Sequence, residues 1–407
     1  MRVRRVAAAV AASMVLIAGA AVPGAAVAQD FSGAGPLWYL DAMRITAIHD
    51  AGITGEGVTV AVFDGGLNPE VAALQGANIE VQQLPVCPDP VAPPPTDFEA
   101  LQHGTSVTAL LIGNGTSDTG TGPVGIAPGV RILYYGAIQE ACEGGENFPI
   151  ALADAVAQGA DIVTMSGGKA RTVDELAEPA ADAVADALRA GVLITTSLPN
   201  RGSAWENELG KINGVVNVAS VDATAQPAKE RDGSDMQNPD VDVVAPGINV
   251  AGVGFNNTWG MSEWSGNSAA TPLVAGVLAL AKQKWPNATS AQLLQSLIRN
   301  TGSKPHELDW SATIGHGVVN ATRIIEEDPS QYPDQNPLFT DGQSPTFDEV
   351  YAATETPPTQ TPDPRNDATT SPLPWVVAGT AVGVVGVAAV IIVIMVRRKK
   401  PGGHPNV

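Results

Sequence analysis

Three polar side chains, far apart along the chain, have residue types and local settings suited to nucleophilic catalysis. Asp64 follows the apolar run 58–63, His103 opens a segment with a helical pattern, and Ser268 precedes a long apolar segment. A serine hydroxyl becomes a nucleophile when an imidazole accepts its proton and a carboxylate orients that imidazole. Singly, each residue has a structural explanation, as a turn former, a surface histidine or a helix cap. In combination they favour a serine hydrolase site.

The elements that must position these side chains alternate along the chain. Short runs rich in Val and Ile predict strands at 58–63, 130–135, 161–165, 192–196 and 215–221. Helical patterns at 150–158, 180–190 and 290–300 lie between or after them. This alternation predicts an α/β fold, with a parallel sheet covered by helices on both faces. Active sites of such sheets form at the carboxyl ends of the strands, which is where Asp64 is expected.

The segment around Ser268 predicts the N-terminus of a buried helix. Residues 273–280 are apolar or Gly, a composition suited only to a core. Pro272 is tolerated near the first turn because the early amides have no carbonyl partner within the helix. Those free amides and the positive end of the helix dipole favour a developing oxyanion beside Ser268. For His103, the pattern predicts a helix that starts at the imidazole.

The three sites together resemble the subtilisin-like serine proteases. The order Asp64, His103, Ser268 is that of the family. Its signatures are an Asp after an apolar strand, His-Gly-Thr, and Gly-x-Ser-x-Ala-x-Pro before a helix, and all three are present. Further matching segments are 125–128, 244–247 and 315–321. The resemblance covers about residues 55–326 and implies a subtilisin-like sheet with helices on both faces.

The resemblance also implies roles for individual residues. Ser268 would be the nucleophile, His103 its general base, and Asp64 the group that holds the imidazole in the useful tautomer. Asn200, which follows the strand pattern at 192–196, would donate to the oxyanion. An extended peptide would lie along Ser166, Gly167 and Gly168 and pair as an added strand.

Some positions depart from the family pattern. Pro199 stands where a Gly usually precedes the oxyanion Asn, and Asn267 stands where a Thr usually precedes the nucleophile. Gly65 replaces a hydroxyl residue after Asp64, and the strip beginning at Ser166 is one residue shorter than usual. No catalytic atom is lost through these changes.

The composition excludes several classes of function. The chain has 407 residues, 44% of them hydrophobic, with 42 acidic and 22 basic side chains and a net charge of −20. A purely disordered chain is excluded, and so acidic a protein repels the phosphates of nucleic acids. Two cysteines are too few for a disulfide scaffold or a cysteine-rich zinc site. No metal-binding spacing is present, and no cofactor is expected.

The N-terminus predicts a secretory signal peptide at 1–28. Basic residues precede the apolar stretch 6–22, and Ala26 and Ala28 stand at the −3 and −1 positions of a cleavage site. The alternative is a membrane-spanning helix, which the Pro23-Gly24 pair at its end disfavours.

The C-terminus predicts a membrane anchor. Residues 375–396 carry no charge over 22 positions, which span about 33 Å as a helix. The basic tail at 397–407 is then cytoplasmic by the positive-inside rule. Residues 327–374, rich in Pro and acidic side chains, predict a linker rather than a small second domain. The protein is therefore expected in the cell membrane with one span and with its peptidase domain, 58–326, extracellular.

The extension at 29–57 helps to distinguish among relatives. It is too short for the long propeptide of most secreted subtilisins. Together with the anchor, the acidic linker and the basic tail, it resembles the mycosins, membrane-anchored proteases associated with type VII secretion. In that group the N-terminal segment packs against the catalytic domain, which implies the same for residues 31–46.

The two cysteines, Cys87 and Cys142, are both expected on the exported side, where a disulfide is favoured over two free thiols. The loop that such a bond closes contains His103. The bond would clamp an insertion beside the active-site cleft.

Three hypotheses of function follow. The leading one is an anchored extracellular serine endopeptidase that cleaves exported proteins or peptides and is linked to a type VII secretion complex. The second is a structural subunit of that complex, with proteolysis dispensable or absent. The third is a broad-specificity surface protease with no dedicated partner.

Overall fold

The computed structural model of this chain describes residues 30–82, 98–136, 147–167, 177–200, 209–230 and 232–351. These ranges contain eleven strands and nine α-helices. The strands are β1 (Thr59–Phe63), β2 (Ile79–Val81), β3 (Asn114–Ser117), β4 (Gly120–Val124), β5 (Arg131–Tyr135), β6 (Ile162–Met165), β7 (Leu193–Ser197), β8 (Val216–Val221), β9 (Val243–Pro246), β10 (Val250–Phe255) and β11 (Thr258–Trp264). The helices are α1 (Trp38–Ala42), α2 (Ile45–Asp50), α3 (Phe98–Ile112), α4 (Asn147–Ala157), α5 (Ala177–Arg189), α6 (Asn267–Lys284), α7 (Ser290–Arg299), α8 (Ala321–Glu326) and α9 (Phe347–Tyr351).

Seven strands form one sheet in the order β2-β5-β1-β6-β7-β8-β9, and every neighbouring pair is parallel. The predicted parallel α/β sheet is therefore confirmed. The five strands expected from the sequence are all present, because runs of β-branched residues buried on both faces are typical of such sheets. In β1, Val60 and Val62 contact one core cluster, whereas Ala61 and Phe63 contact the other.

Helices cover the two faces of the sheet. On one face α3 packs against α6, and α6 contacts the central strands. On the other face α4 packs against α5. Every residue of α6 from Asn267 to Ala281 is buried, which matches its apolar sequence. The face that contains α6 therefore holds the larger core, and Ser268 lies in the first turn of the helix that runs through it.

The N-terminal extension packs against the domain through two buried aromatic residues. The Tyr39 hydroxyl donates to the carbonyl oxygen of Val124 at 2.7 Å and accepts from its amide at 3.2 Å. The indole of Trp38 donates to the carbonyls of Ile248 and Asn249. The extension thus joins β4 to the segment before β10, and its packing agrees with what the sequence implied.

The domain continues beyond the predicted boundary at residue 326. Residues 327–351, expected as the start of the linker, lie against the domain. Asn213 fastens them, since its side-chain amide donates to three backbone carbonyls there, those of Thr340, Gln343 and Pro345. The rings of Phe339, Phe347 and Tyr351 pack together, and Val350 is buried. The composition predicted that the entropy cost of ordering would leave this segment free. These contacts offset that cost.

Several predicted segments lie outside the described residues: the signal peptide at 1–28, the end of the linker at 352–374, the span at 375–396 and the tail at 397–407. Within the described ranges, no helix has the length and apolar character needed to cross a membrane.

Candidate active site

The carboxyl ends of β1, β6 and β7 lie side by side. Phe63 pairs with Met165, and Met165 pairs with Thr196. Asp64 directly follows β1, Ser166 directly follows β6, and Asn200 lies in the loop after β7. The sheet therefore brings these residues to the same edge, where ligand sites of parallel sheets form.

Asp64 contacts His103 directly. The Nδ1 atom of His103 lies 2.7 Å from Oδ1 of Asp64, and the amide of Gly65 donates to the same oxygen at 2.7 Å. The Asp64 side chain is 3% exposed, whereas the His103 side chain is 34% exposed. A buried carboxylate thus holds one ring nitrogen of an imidazole that is itself partly exposed. With Nδ1 protonated, Nε2 is left as the proton acceptor.

The helix that carries His103 begins earlier than the sequence indicated. α3 starts at Phe98, so the imidazole lies in the second turn and not at the helix start. The residues between them, Glu-Ala-Leu-Gln, are good helix formers. Phe98 also packs on Trp259, with 4.9 Å between ring centroids. That contact with β11 extends the helix, and its partner is distant in the sequence.

The hairpin formed by β10 and β11 also places an aromatic residue against His103. The indole of Trp264 meets the imidazole edge to face, with 5.5 Å between centroids. Next to it, the side-chain amide of Gln102 donates to the carbonyl of Gly254 at 2.6 Å, which ties α3 to β10. Sequence reasoning missed both residues, since neither belongs to a recognisable motif.

Ser268 is the second residue of α6 and is 6% exposed. Its hydroxyl donates to the carbonyl oxygen of Ser166 at 2.6 Å. No hydrogen bond joins this hydroxyl to His103 among the contacts of the described residues. Rotation about the Cα–Cβ bond releases the hydroxyl from Ser166, and catalytic hydrogen bonds are often completed only when substrate is bound.

Asn200 lies against the backbone that precedes Ser268. Its Oδ1 accepts a hydrogen bond from the amide of Asn267 at 2.8 Å. A Cβ at Gly266 would come within 3.2 Å of Oδ1 and 3.3 Å of Nδ2, so glycine leaves the room that the carboxamide occupies. With its oxygen engaged, the amino end of Asn200 remains as a donor. Asn200, which the sequence nominated as an oxyanion donor, thus lies beside the start of α6.

Tyr134 supports the turn below Asp64 and was also missed. It is 1% exposed, and its hydroxyl lies 3.1 Å from the carbonyl oxygens of both Gly65 and Gly66. A Cβ at Gly104 would collide with this hydroxyl and with the Gly66 carbonyl. The glycine after His103 thus allows α3 to approach the turn. From the sequence, Tyr134 is only an aromatic residue near the end of a buried strand.

The electrostatics of the site favour a charged imidazole and a neutral phenol. Burial opposes protonation of His103, but the charge of Asp64 and its hydrogen bond outweigh it, with a contribution from Glu99, so the pKa of His103 is raised above 6.5. Burial, reinforced by the Asp64 charge, raises the pKa of Tyr134 well above 10. Tyr134 therefore stays a hydrogen-bond donor, while the His103 imidazole binds its proton more tightly than a free imidazole does.

The predicted substrate strip is described only in part. Ser166 and Gly167 follow β6, and the Ser166 carbonyl holds the Ser268 hydroxyl. Gly168 lies outside the described residues, as do Cys87 and Cys142. Among the residues that the structure describes, no group of three His, Cys, Asp or Glu side chains is arranged to hold a metal ion.

Comparisons with known proteins agree with this geometry. Residues 55–317 match the model of the subtilase family, described as peptidase S8. Subtilisin Savinase of Lederbergia lenta is 30% identical over 70% of this chain and 96% of its own length. A thermostable alkaline protease of Halalkalibacterium halodurans is 29% identical over 71% of this chain and 73% of that protein.

Solved structures share the fold. The prenylagaramide maturation protease PagA superposes with a TM-score of 0.55 at 22% identity, covering 69% of this chain and 98% of that one. Fervidolysin from Fervidobacterium pennivorans, a keratinolytic enzyme related to subtilisin, gives 0.54 at 22% identity over 74% of this chain and 46% of its own. With a family match that covers most of the chain, a subtilisin-like sheet and an imidazole held by a buried carboxylate, the chain belongs to the subtilase family and is a serine endopeptidase.

Proposed function

We propose that Ser268, His103 and Asp64 are the catalytic triad of this endopeptidase and that Asn200 donates to its oxyanion. The observation that carries the proposal is the 2.7 Å contact between His103 and Asp64, together with the location of Ser268 in the first turn of α6. Asn200 is joined to that helix start through the Asn267 amide. These contacts support a site in which the four groups required for acyl transfer act together.

The proposed reaction has two halves. The Ser268 hydroxyl leaves the Ser166 carbonyl, transfers its proton to Nε2 of His103 and attacks the peptide carbonyl carbon. The Ser268 amide and Nδ2 of Asn200 donate to the resulting oxyanion. His103 then protonates the leaving amine, which departs with one half of the substrate. Water, deprotonated by the same imidazole, hydrolyses the acyl enzyme and restores the serine. Asp64 stabilises the imidazolium in both halves.

Labelling with a fluorophosphonate probe tests the triad. The full chain, solubilised in detergent, should be labelled at Ser268 and should lose labelling in Ser268→Ala. The matched control, Ser330→Ala, removes an exposed hydroxyl on the 327–351 segment and should label at the wild-type rate. Equal labelling of wild type and Ser268→Ala would exclude Ser268 as the nucleophile.

The proposal extends to location and partner. The signal peptide at 1–28, the span at 375–396 and the basic tail support a protease anchored in the cell membrane with its catalytic domain outside. The short extension and the acidic linker support the resemblance to mycosins and a link to type VII secretion. Exported proteins are then the substrates.

Genetic replacement distinguishes the enzyme from the structural subunit. If secretion fails on deletion of the chain and also in Ser268→Ala, proteolysis is required. If Ser268→Ala secretes normally while deletion does not, the structural role is favoured. Normal secretion in both strains would favour a surface protease without a dedicated partner.

The exported location also supports a disulfide between Cys87 and Cys142. Intact mass measured with and without reduction before alkylation tests it. Two alkyl groups added only after reduction are expected, whereas two added without reduction would contradict the bond.

A further inference from the structure

Asn267, which stands directly before Ser268, has a side chain with four hydrogen bonds. Its Nδ2 donates to the carbonyl oxygens of Leu198 and Pro199, each at 3.0 Å. Its Oδ1 accepts from the amide and from the hydroxyl of Ser220, each at 2.9 Å. The residue is 4% exposed. The start of α6 is thereby bonded to both the loop after β7 and to β8.

These four bonds use every hydrogen-bond donor and acceptor of the Asn267 side chain. A carboxamide has two N–H donors and an oxygen with two lone pairs, and all four are used. Asn267 therefore has no side-chain donor left for a reaction intermediate, although it is adjacent to the nucleophile. Its backbone amide is also engaged, since it donates to Oδ1 of Asn200 at 2.8 Å.

Residues 198–200 and Asn267 are joined by hydrogen bonds from side chain to backbone in both directions. The side chain of Asn267 holds the two carbonyls that precede Asn200, and the backbone of Asn267 holds the side chain of Asn200. The carboxamide of Asn200 therefore cannot move relative to Ser268 without breaking at least one hydrogen bond that is buried or partly buried. Breaking such a bond leaves a buried polar group without a partner, which is costly.

We propose that Asn267 is a positioning residue that sets the oxyanion donor Asn200 relative to Ser268, and that Pro199 and Asn267 act as one unit. This inference rests on the proposed function, since it assumes the role given to Asn200. Pro199 has no N–H and a fixed φ, so its carbonyl is presented in a narrow range of directions. The longer Asn side chain reaches both that carbonyl and Ser220. The Thr that the family usually has at this position offers only one hydroxyl donor.

The expected kinetic effect follows from misplacement of Asn200. Asn267→Thr should lower kcat by about 10-fold to 100-fold, because small errors in the geometry of a catalytic group have effects of this size. KM should change little, since the substrate strip is untouched. A peptide boronate, which mimics the tetrahedral intermediate, should lose affinity in proportion to kcat, as expected for contacts made only in the transition state.

A matched control separates positioning from general stability. Asn213 is likewise buried and donates its side-chain amide to backbone carbonyls, but it holds the 327–351 segment. Asn213→Thr should lower the melting temperature and leave kcat at the wild-type value. If Asn267→Thr affects kcat no more than Asn213→Thr does, Asn267 is only a stabilising residue and the proposal fails.

A double-mutant cycle measured with a fluorogenic peptide tests the route through Asn200. Asn200→Ala should lower kcat by about 100-fold to 1,000-fold. Asn267→Thr added to Asn200→Ala should then have almost no further effect, because its target is gone. Full additivity would overturn the positioning role. Wild-type kcat in Asn200→Ala would instead contradict the proposed oxyanion donor, so the two failures are distinguishable. Restoring the family pair, with Pro199→Gly added to Asn267→Thr, should recover part of kcat.

Discussion

Asp64 holds His103 through one carboxylate oxygen only. Oδ1 accepts from Nδ1 of His103 and from the Gly65 amide, whereas Oδ2 is buried and has no hydrogen-bond partner among the described residues. In a site built this way, the orientation of the imidazole depends on the position of a single atom. The rigidity of the turn that follows Asp64 then matters as much as the carboxylate.

Asp64→Asn should lower kcat by about 10,000-fold while the protein remains folded. If the amide turns its Nδ2 toward His103, it donates to Nδ1 and forces the tautomer in which Nε2 cannot accept the serine proton. If it keeps its oxygen there, a new N–H is buried without an acceptor. Steady-state kinetics and circular dichroism together check this. A loss below about 10-fold in a folded variant would show that Asp64 does not control the tautomer.

The pH dependence of kcat/KM should have an acid limb with a midpoint above 6.5, the ordinary value for histidine. The reaction needs neutral His103, and Asp64 raises the pKa of that group, so activity falls as pH decreases through the raised value. In Asp64→Asn the residual activity should titrate at a lower pH, since the negative charge is gone. An acid limb that stays in place in this variant would contradict the assignment.

Tyr134→Phe should lower kcat by about 10-fold to 100-fold, because the Gly65-Gly66 turn loses the hydroxyl that holds its two carbonyls. The family usually has a hydroxyl residue where this chain has Gly65, so the Tyr134 hydroxyl is well placed to restrain the more flexible turn. The acid limb of kcat/KM should also shift, since the contact between Asp64 and His103 loosens. A merely stabilising role would leave that limb unchanged.

The neighbouring residue is the matched control. Tyr135 points to the opposite face of the sheet, where its hydroxyl donates to Asp154 at 2.6 Å. Tyr135→Phe should lower the melting temperature and leave both kcat and the acid limb at their wild-type values. Equal kinetic losses in the two variants would mean that any hydroxyl lost from β5 weakens the sheet, and that Tyr134 has no special role.

The fold and the triad candidates could be predicted because their signals are local. Runs of Val and Ile mark buried parallel strands, and Asp64, His103 and Ser268 each stand in a short motif with a definite chemistry. Tyr134, Trp264 and the contacts of Asn267 could not be predicted in this way. The partners described above lie between 47 and 161 residues away, and only the folded sheet brings them together.

Two element boundaries differed for the same reason. α3 extends back to Phe98 because that ring packs on Trp259. Residues 327–351 pack against the domain because the side-chain amide of Asn213 donates hydrogen bonds to their backbone carbonyls. The composition of residues 327–351 favoured a free linker because it is rich in polar residues and proline. Composition does not show which hydrogen-bond partners the domain offers to the segment. Tertiary contacts outweighed the local preference in both cases.

Asp242, directly before β9, introduces a pH effect on stability that is separate from catalysis. Burial raises its pKa to about 7, although hydrogen bonds from Asn217 act in the opposite direction and the charge of Asp240 adds to the increase. Its Oδ2 accepts from the Asn217 amide at 2.7 Å. The folded protein therefore binds a proton at this carboxyl more tightly than the unfolded chain, whose pKa is close to 3.8.

Asp242→Asn should stabilise the protein more at pH 8 than at pH 5. Between 3.8 and about 7, the contribution of Asp242 to the free energy of unfolding falls as pH rises, because unfolding releases the proton that the folded state holds. Asn cannot titrate, and its oxygen can still accept from the Asn217 amide. Melting temperatures of both proteins at the two pH values give the test, with a difference of at least about 2 °C expected in the effect of the substitution. Asp118→Asn, an exposed control, should show no such difference. If Asp242→Asn changes the melting temperature equally at pH 5 and pH 8, the carboxyl is not protonated in the folded protein near neutral pH.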